Sequence, residues 1–276
     1  MPGQVPNFWW RPPAPLALRR LVPGCLILLL TAGVPQAAEP TSAGVAREPV
    51  PRLYVVLIGG MHSDPTAAQI AGTAARREGN SGLYQLLGDL QLNDHVVAEY
   101  FNWNGTRAGQ LNAPHPPRTE GIVNCIREHM QQSPGDRLAI VGNSWGGHTA
   151  IEVTQALLAS DAPLAFDLAV FLDASSTARG KRKPKRLPIN INHAVHYFTH
   201  NLFVWGKWPA GDRLENIDLG DKACGYRSDG GPAYQSAFDF RAHVAAEWDD
   251  RIHADIKRRL LEVLPEFQPA PRNPGP

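Results

Sequence analysis

Short apolar runs recur along the middle of the chain, separated by segments with a helical pattern. Leu53–Ile58, Leu138–Val141 and Asp167–Leu172 are largely apolar at consecutive positions. Continuous apolar content of this length predicts strands that are buried on both faces of a parallel sheet. Further strands are predicted at His95–Tyr100 and, more weakly patterned, at His193–Phe198 and Leu214–Leu219.

The segments between these runs carry helical signals. The predicted helices are Pro65–Leu90, broken around Gly79–Gly82, then Thr119–Gln132, His148–Ser160 and the amphipathic Asp249–Leu264. Strands that alternate with helices form a parallel sheet with right-handed crossovers. The pattern therefore predicts the α/β class, with a mostly parallel central sheet flanked by helices on both faces.

Composition divides the chain into a globular domain and two irregular ends. The 25 prolines cluster in the first 51 residues, around Ala113–Pro117 and at the end of the chain. We predict a flexible lead-in at 39–51, one domain at 52–264 and a disordered tail at 265–276. Within the domain, 175–213 is a hypothetical lid or insert, because its aromatic residues suit an acyl pocket as well as a core. Those residues are Tyr197, Phe198, Phe203, Trp205 and Trp208.

Residues 1–38 have the pattern of a targeting segment. Arg11, Arg19 and Arg20 precede an apolar stretch, Leu21–Val34, which small residues follow. The stretch is short for a membrane span and contains Pro23, which favours a cleaved signal peptide over an anchor. We therefore expect an exported protein, periplasmic or secreted, without a stable membrane span in the mature chain. If the segment is retained, the protein is tethered to a membrane.

Charge and cysteine content narrow the choice of partners. The 276 residues carry a formal net charge of +1 and a hydrophobic fraction of 43%. A nearly neutral chain gives no reason to expect a nucleic-acid partner. Cys125 and Cys224 remain once the targeting segment is removed. An exported compartment would permit a disulfide between them, but the sequence does not show that they meet, and we expect two separate buried thiols. No residue spacing suggests a metal site, and no nucleotide-binding fingerprint suggests a cofactor.

The strand Leu138–Val141 leads directly into Gly142-Asn143-Ser144-Trp145-Gly146, which fits the motif G-x-S-x-G. This motif forms a sharp turn between a strand and a helix, and the turn lifts the serine hydroxyl above the sheet. The flanking glycines let the neighbouring backbone segments approach closely. The motif alone is common, but a strand before it and a helix after it favour Ser144 as a nucleophile.

Together, these features resemble the α/β-hydrolase superfamily, in its esterase, lipase and thioesterase range, over about residues 52 to 264. Four features carry the resemblance: a strand followed by Gly59-Gly60, the serine motif, a strand that ends in Asp173, and a late histidine before a terminal helix. Asn143 stands where many relatives carry His. The resemblance implies a triad in the chain order nucleophile, acid and histidine. Ser144, Asp173 and His243 satisfy that order.

Alternatives remain for two members of the triad. For the base, His253 is the second choice. Weaker candidates fall on or beside a strand: His193, His196 and His200. His148 lies inside the nucleophile helix, where a structural role is expected. For the acid, Asp212 and Asp218 stay open because some relatives place this residue after a later strand, and Asp239 is a weaker option.

The resemblance implies acyl transfer to water through an acyl-serine intermediate, without a cofactor or metal. The oxyanion donors would be the backbone N–H of Trp145 and one from Gly60 or Met61. We expect a small carboxylic ester or thioester as substrate. Two rival hypotheses are an acyltransferase that uses the same triad and a hydrolase-like binding module without turnover.

Overall fold

Six parallel strands form the central sheet in the part of the chain that the structure describes. The strands are β1 (Leu53–Ile58), β2 (Val96–Phe101), β3 (Arg137–Asn143), β4 (Phe166–Leu172), β5 (Ile191–Phe198) and β6 (Leu214–Asp218). Their order across the sheet is β2-β1-β3-β4-β5-β6, and every neighbouring pair is parallel. This confirms the predicted parallel sheet.

The structure is a computed structural model, and it describes residues 51–108, 119–174, 187–200, 207–209, 211–226, 234 and 240–267. The predicted targeting segment and almost all of the lead-in lie outside these residues, as does the tail beyond 267. The described residues belong to one compact unit that begins at Pro49. Among them, no helix has both the length and the apolar character that crossing a membrane requires.

Helices cover both faces of the sheet. They are α1 (Ala67–Ile70), α2 (Gly82–Gln91), α3 (Glu120–Gln132), α4 (Trp145–Leu158), α5 (Phe240–Trp248) and α6 (Asp250–Leu261). Short 3-10 helices form at Lys222–Cys224 and at Pro265–Phe267, where the predicted tail begins.

Alternate residues of the central strands enter two separate cores. Leu53, Val55 and Leu57 of β1 pack with buried residues of α2, α5 and α6. The residues between them, beginning with Tyr54 and Val56, pack with α3 and α4. Since successive side chains of a strand point to opposite faces, a strand covered on both faces is apolar at every position. This is the reason that β1 appears in the sequence as an unbroken apolar run.

The largest differences from the predicted elements are in the helices. The segment predicted as the broken helix Pro65–Leu90 contains the short α1 and the separate α2, which Ser81 caps by accepting from the Tyr84 N–H. Helix α4 begins at Trp145, immediately after the serine turn, and not at His148. Helix α5 was not predicted at all, so His243 lies within a helix and not on a loop ahead of the last one.

Neither Cys125 nor Cys224 is in a disulfide. Cys125 is buried on α3, as expected, but Cys224 is exposed, so the expectation that both thiols are buried was wrong for the second.

The hypothetical lid region, 175–213, includes strand β5, which belongs to the sheet. Tyr197, Phe198 and Trp208 are buried core residues, while Phe203 and Trp205 lie outside the described residues.

Candidate active site

The candidate site lies at the carboxyl edge of the sheet. Because all strands run in the same direction, the segments that follow β1, β3, β4 and β5 meet at this edge. These segments contribute Gly60, Ser144, Asp173 and Thr199. The parallel topology therefore gathers residues that are far apart in the sequence.

Ser144 occupies a strained turn between β3 and α4. Its φ of 50° and ψ of −119° lie in a region that residues other than glycine rarely adopt. The Ser144 N–H donates to the carbonyl oxygen of Leu172 at 2.9 Å, which ties the turn to β4. The turn thus has the strained conformation that the serine motif predicts, and the contact with β4 is an addition from the structure.

The glycines of the motif are required by close approaches of backbone to backbone. A Cβ atom on Gly146 would lie 2.1 Å from the carbonyl oxygen of Ile58, and one on Gly142 would lie 2.6 Å from the Cα of Gly147. Both contacts are far inside van der Waals distance, and neither partner is a flexible side chain. Helix α4 therefore packs against β1 and β3 only because these positions lack a side chain.

We expect Gly146→Ala to lower the free energy of unfolding by about 1–3 kcal/mol, because the added methyl group overpacks the contact with the β1 backbone. Gly88→Ala is the matched control. Gly88 is an exposed position within α2 with open space where its Cβ would be, so alanine should stabilise the protein by about 0.5–1 kcal/mol. Urea denaturation of both variants measures the difference. Equal stability of the two variants would contradict the packing argument.

The structure brings Ser144, His243 and Asp173 together in one hydrogen-bonded chain. The Nε2 of His243 lies 2.8 Å from the Oγ of Ser144, and its Nδ1 lies 2.8 Å from the Oδ2 of Asp173. Ser144 is 8% exposed, His243 7% and Asp173 0%. The contact with a carboxylate assigns the proton of the neutral imidazole to Nδ1, which leaves Nε2 to accept from the serine hydroxyl.

Thr199 fixes the orientation of Asp173. Its backbone N–H donates to Oδ1 at 2.9 Å, and its hydroxyl donates to Oδ2 at 2.7 Å. Asp173 also has a positive φ of 40°, and its own N–H donates to the Tyr197 carbonyl at 2.7 Å. A buried carboxylate must have such donors to remain charged. No signal in the sequence marked Thr199, because this contact joins two strand ends.

The other candidate histidines lie on β5, just after it or on α4, and the contacts described for them are with residues other than Ser144. His200 pairs with Asp218 at 2.7 Å, and His148 lies 3.1 Å from Glu152 on its own helix. His196 is buried against the Trp208 ring, whereas His193 is exposed.

His253, the second choice for the base, has a structural contact. It is buried in α6, and its Nε2 donates to the carbonyl oxygen of Glu247, near the end of α5, at 2.7 Å. Burial lowers the pKa of His253, which favours the neutral imidazole. Of the alternative acids, Asp212 is exposed ahead of β6, and Asp239 lies outside the described residues.

The predicted oxyanion donors lie beside the nucleophile. Trp145 is the first residue of α4, so its backbone N–H belongs to the first turn of that helix. A Cβ on Gly60 would lie 2.9 Å from the Cβ of Ser144, which places the glycine loop directly against the serine. Met61 follows in this loop and is 43% exposed. The ring of Trp145 packs edge-on against Trp103, with ring centroids 4.9 Å apart.

Sequence reasoning also missed a buried carboxylate next to this site. Glu247 lies on α5, the helix that carries His243, and it is 4% exposed. Its carboxylate accepts from Asn143, the residue before the nucleophile, at 2.8 Å, and from Ser63 at 2.9 Å. A lone Glu near the end of a helix usually faces water, so only the tertiary structure reveals this position.

Comparisons with known proteins give only distant similarity. No family model and no curated protein matches the chain. Among solved structures, a cutinase-like protein from Cryptococcus sp. matches with 12% identity and a TM-score of 0.43, over 78% of this chain and 96% of that chain. A serine hydrolase without a lid from Xanthomonas campestris also has 12% identity and a TM-score of 0.43, over 81% and 87%.

The catalytic core domain of acetyl xylan esterase from Trichoderma reesei matches with 12% identity and a TM-score of 0.36, over 79% of this chain and 97% of that chain. Similarity at this level identifies neither the substrate nor the reaction of this chain. The architecture itself is clear from the chain's own features: an all-parallel sheet, helices on both faces and a serine turn at the carboxyl edge. The protein has the α/β-hydrolase fold.

Proposed function

We propose that this protein is a serine hydrolase that cleaves carboxylic ester or thioester bonds through an acyl-serine intermediate. The observation that carries the proposal is the hydrogen-bonded chain from Ser144 through His243 to Asp173, with both contacts at 2.8 Å. The strained backbone of Ser144 is a second support, because backbone strain of this kind clusters at functional sites.

The geometry supports general-base catalysis by His243. As the Ser144 oxygen attacks the substrate carbonyl carbon, its proton moves to Nε2 of His243, and the carbonyl π electrons move to the oxygen. The N–H groups of Trp145 and of Gly60 or Met61 would stabilise the oxyanion. Collapse of the tetrahedral intermediate breaks the bond to the alcohol or thiol, which leaves with the proton from His243.

The second half of the reaction uses the same groups in the same order. Water attacks the acyl-serine while His243 removes a proton from it, and the carboxylic acid departs as the proton returns to Ser144 Oγ. Asp173 stays ionised throughout and stabilises the imidazolium that forms in both halves. Thr199 supports this role because its two donors keep the carboxylate oriented.

The direct test of this proposal is covalent labelling with a fluorophosphonate probe. We expect the folded wild-type protein to be labelled at Ser144, as shown by mass spectrometry of the modified peptide, and Ser144→Ala to remain unlabelled. A folded wild-type protein that the probe does not label would reject the enzyme hypothesis and favour a binding module. Labelling at a different serine would reject the assigned nucleophile.

The substrate class follows from a series of assays on the same two proteins. Nitrophenyl esters of increasing acyl length and the matching acyl thioesters would show which leaving group and chain length give the highest kcat/KM. Added alcohols distinguish hydrolysis from acyl transfer, since a transferase would form a new ester at the expense of the free acid.

We also propose that the protein is exported. The basic start, the apolar stretch Leu21–Val34 and the small residues that follow it support this proposal. Cell fractionation with N-terminal sequencing of the mature chain is the test. An intact N-terminus on protein from the cytosol would reject export.

A further inference from the structure

We propose that Glu247 is a positioning residue that holds the nucleophile turn, the glycine loop and the histidine helix in register with one another. This inference rests on the proposed function, because it assigns a role in that same site. In the described structure Glu247 has no hydrogen bond to any of the three triad side chains, although it interacts electrostatically with His243. Its hydrogen bonds are to the segments that carry the triad and to the start of α2.

One oxygen of the carboxylate joins two of these segments. Oε2 accepts from the side-chain amide of Asn143 at 2.8 Å and from the hydroxyl of Ser63 at 2.9 Å. Asn143 is the last residue of β3 and directly precedes Ser144. Ser63 belongs to the glycine loop, and its N–H donates to the carbonyl oxygen of Gly60 at 3.2 Å. The two segments that carry the nucleophile and the predicted oxyanion donors thus share a single acceptor.

The third segment is the helix that Glu247 itself occupies. Glu247 follows His243 by four residues on α5, and residues with this spacing lie on the same side of a helix. Contacts that fix the rotation of α5 at Glu247 therefore also fix the direction in which His243 leaves the helix. The carbonyl oxygen of Glu247 is held too, by the Nε2–H of His253 at 2.7 Å.

The other oxygen anchors the carboxylate to the start of α2. Oε1 accepts from the hydroxyl of Ser81 at 3.0 Å and from the N–H of Leu83 at 3.3 Å. Gly82 allows α2 and α5 to meet by their backbones, since a Cβ there would lie 2.0 Å from the Glu247 carbonyl oxygen. This side stabilises the packing of the two helices and has no direct hydrogen bond to the nucleophile turn or the glycine loop in the described structure. Its link to that loop is indirect: the Ser81 hydroxyl lies 3.1 Å from the Tyr100 hydroxyl, which donates to the Ser63 carbonyl oxygen at 2.6 Å.

The physical cost of this carboxylate argues for a role beyond stability. Burial raises the pKa of Glu247, and the hydrogen bonds from Ser63, Leu83 and Ser81, together with the electrostatic interaction with His243, oppose that rise. An apolar side chain of similar size often stabilises a core as well as a buried charged group does. A carboxylate offers what an apolar residue cannot: two acceptor atoms that bind donors from three separate segments at fixed distances.

The test compares variants on the two sides of the carboxylate. We expect Glu247→Gln and Asn143→Ala each to lower kcat for ester hydrolysis about 10- to 100-fold with KM nearly unchanged, because a small displacement of the reacting groups slows the chemical step. Ser81→Ala is the matched control. It removes a hydrogen bond to the same carboxylate and lowers the melting temperature, but it should keep kcat within about twofold of wild type.

The double variant Asn143→Ala/Glu247→Gln distinguishes a shared role from two separate ones. If both residues act through their mutual contact, the double variant should lose little more kcat than either single variant. If the losses in kcat of the two single variants add up in the double variant, the proposal is overturned. It is also overturned if Ser81→Ala loses as much kcat as Glu247→Gln at a similar drop in melting temperature. Wild-type kcat in folded Glu247→Gln would overturn it as well.

A second measurement does not depend on turnover. In protein labelled with ¹⁵N-histidine, the His243 ring signals should shift or broaden in Glu247→Gln and also in Asn143→Ala, which keeps the carboxylate of Glu247, and should stay unchanged in Ser81→Ala. Unchanged His243 signals in folded Glu247→Gln would overturn the positioning role. If the wild-type protein neither hydrolyses esters nor reacts with a fluorophosphonate, the proposed function fails, and this spectrum still decides the structural part of the inference.

Discussion

Replacing His243 with alanine is expected to lower kcat for ester hydrolysis about 10⁶-fold, which is the scale of loss when the general base of a serine triad is removed. The reason is geometric: the Nε2 of His243 lies 2.8 Å from the Ser144 oxygen, and none of the other described histidines has a hydrogen bond to that oxygen. The variant should stay folded, because Asp173 keeps both donors from Thr199. Ester-hydrolysis assays measure the loss in kcat, and circular dichroism verifies that the variant is folded.

His200→Ala is the matched control for this variant. His200 also pairs with a carboxylate, Asp218, at 2.7 Å, but its side chain is 50% exposed and this pair does not include Ser144. We expect activity close to that of wild type. Near-normal turnover in His243→Ala, or a large loss in His200→Ala, would show that the wrong histidine was assigned.

Asp173→Asn is expected to lower kcat about 10⁴-fold with little change in substrate binding. The asparagine amide can keep its oxygen toward the Thr199 N–H, and its NH₂ group then faces Nδ1 of His243. That arrangement favours the tautomer with the proton on Nε2, so the imidazole donates to Ser144 and can no longer accept its proton. A pre-steady-state measurement of acylation would locate the loss in the chemical step.

Asp218→Asn tests the same chemical change at the His200 pair and should leave kcat unchanged. It also addresses the alternative acid that the sequence left open. If Asp218→Asn loses more activity than Asp173→Asn, the acid of the triad is Asp218, at the end of a later strand, and not Asp173.

Most strands and helices could be predicted because the apolar pattern that marks each of them lies within its own residues. Strands such as β1 and β4 are buried on both faces, and their apolar runs mark them without any knowledge of neighbours. The order of the strands across the sheet depends on contacts between distant segments, so the pattern of a single strand does not contain it. Helix α5 escaped detection because its apolar residues are spread around the helix: Ala242 and Ala246 are buried, whereas Val244 is exposed.

The residues of the candidate site also fall into two groups: those that the sequence indicates and those that only the structure reveals. The sequence singled out Ser144, Asp173 and His243 because each stands next to a recognisable element, and the structure brings their side chains into contact. Thr199 and Glu247 could not be found, since a threonine after a strand and a glutamate on a helix are ordinary surface residues in most proteins. Their significance comes from burial and from partners that lie far away in the sequence.

The common direction of all six strands has a practical consequence for work on this protein. Ser144, Asp173 and the glycine loop follow the ends of strands, and His243 reaches the same edge from α5. Among the described residues, the turns that lead into the strands contain no candidate catalytic group. Asp161–Pro163, an exposed turn ahead of β4, lies at the opposite edge of the sheet. A fluorescent dye or an immobilisation tag attached there would report on the molecule, or hold it on a surface, with its catalytic face open to substrate.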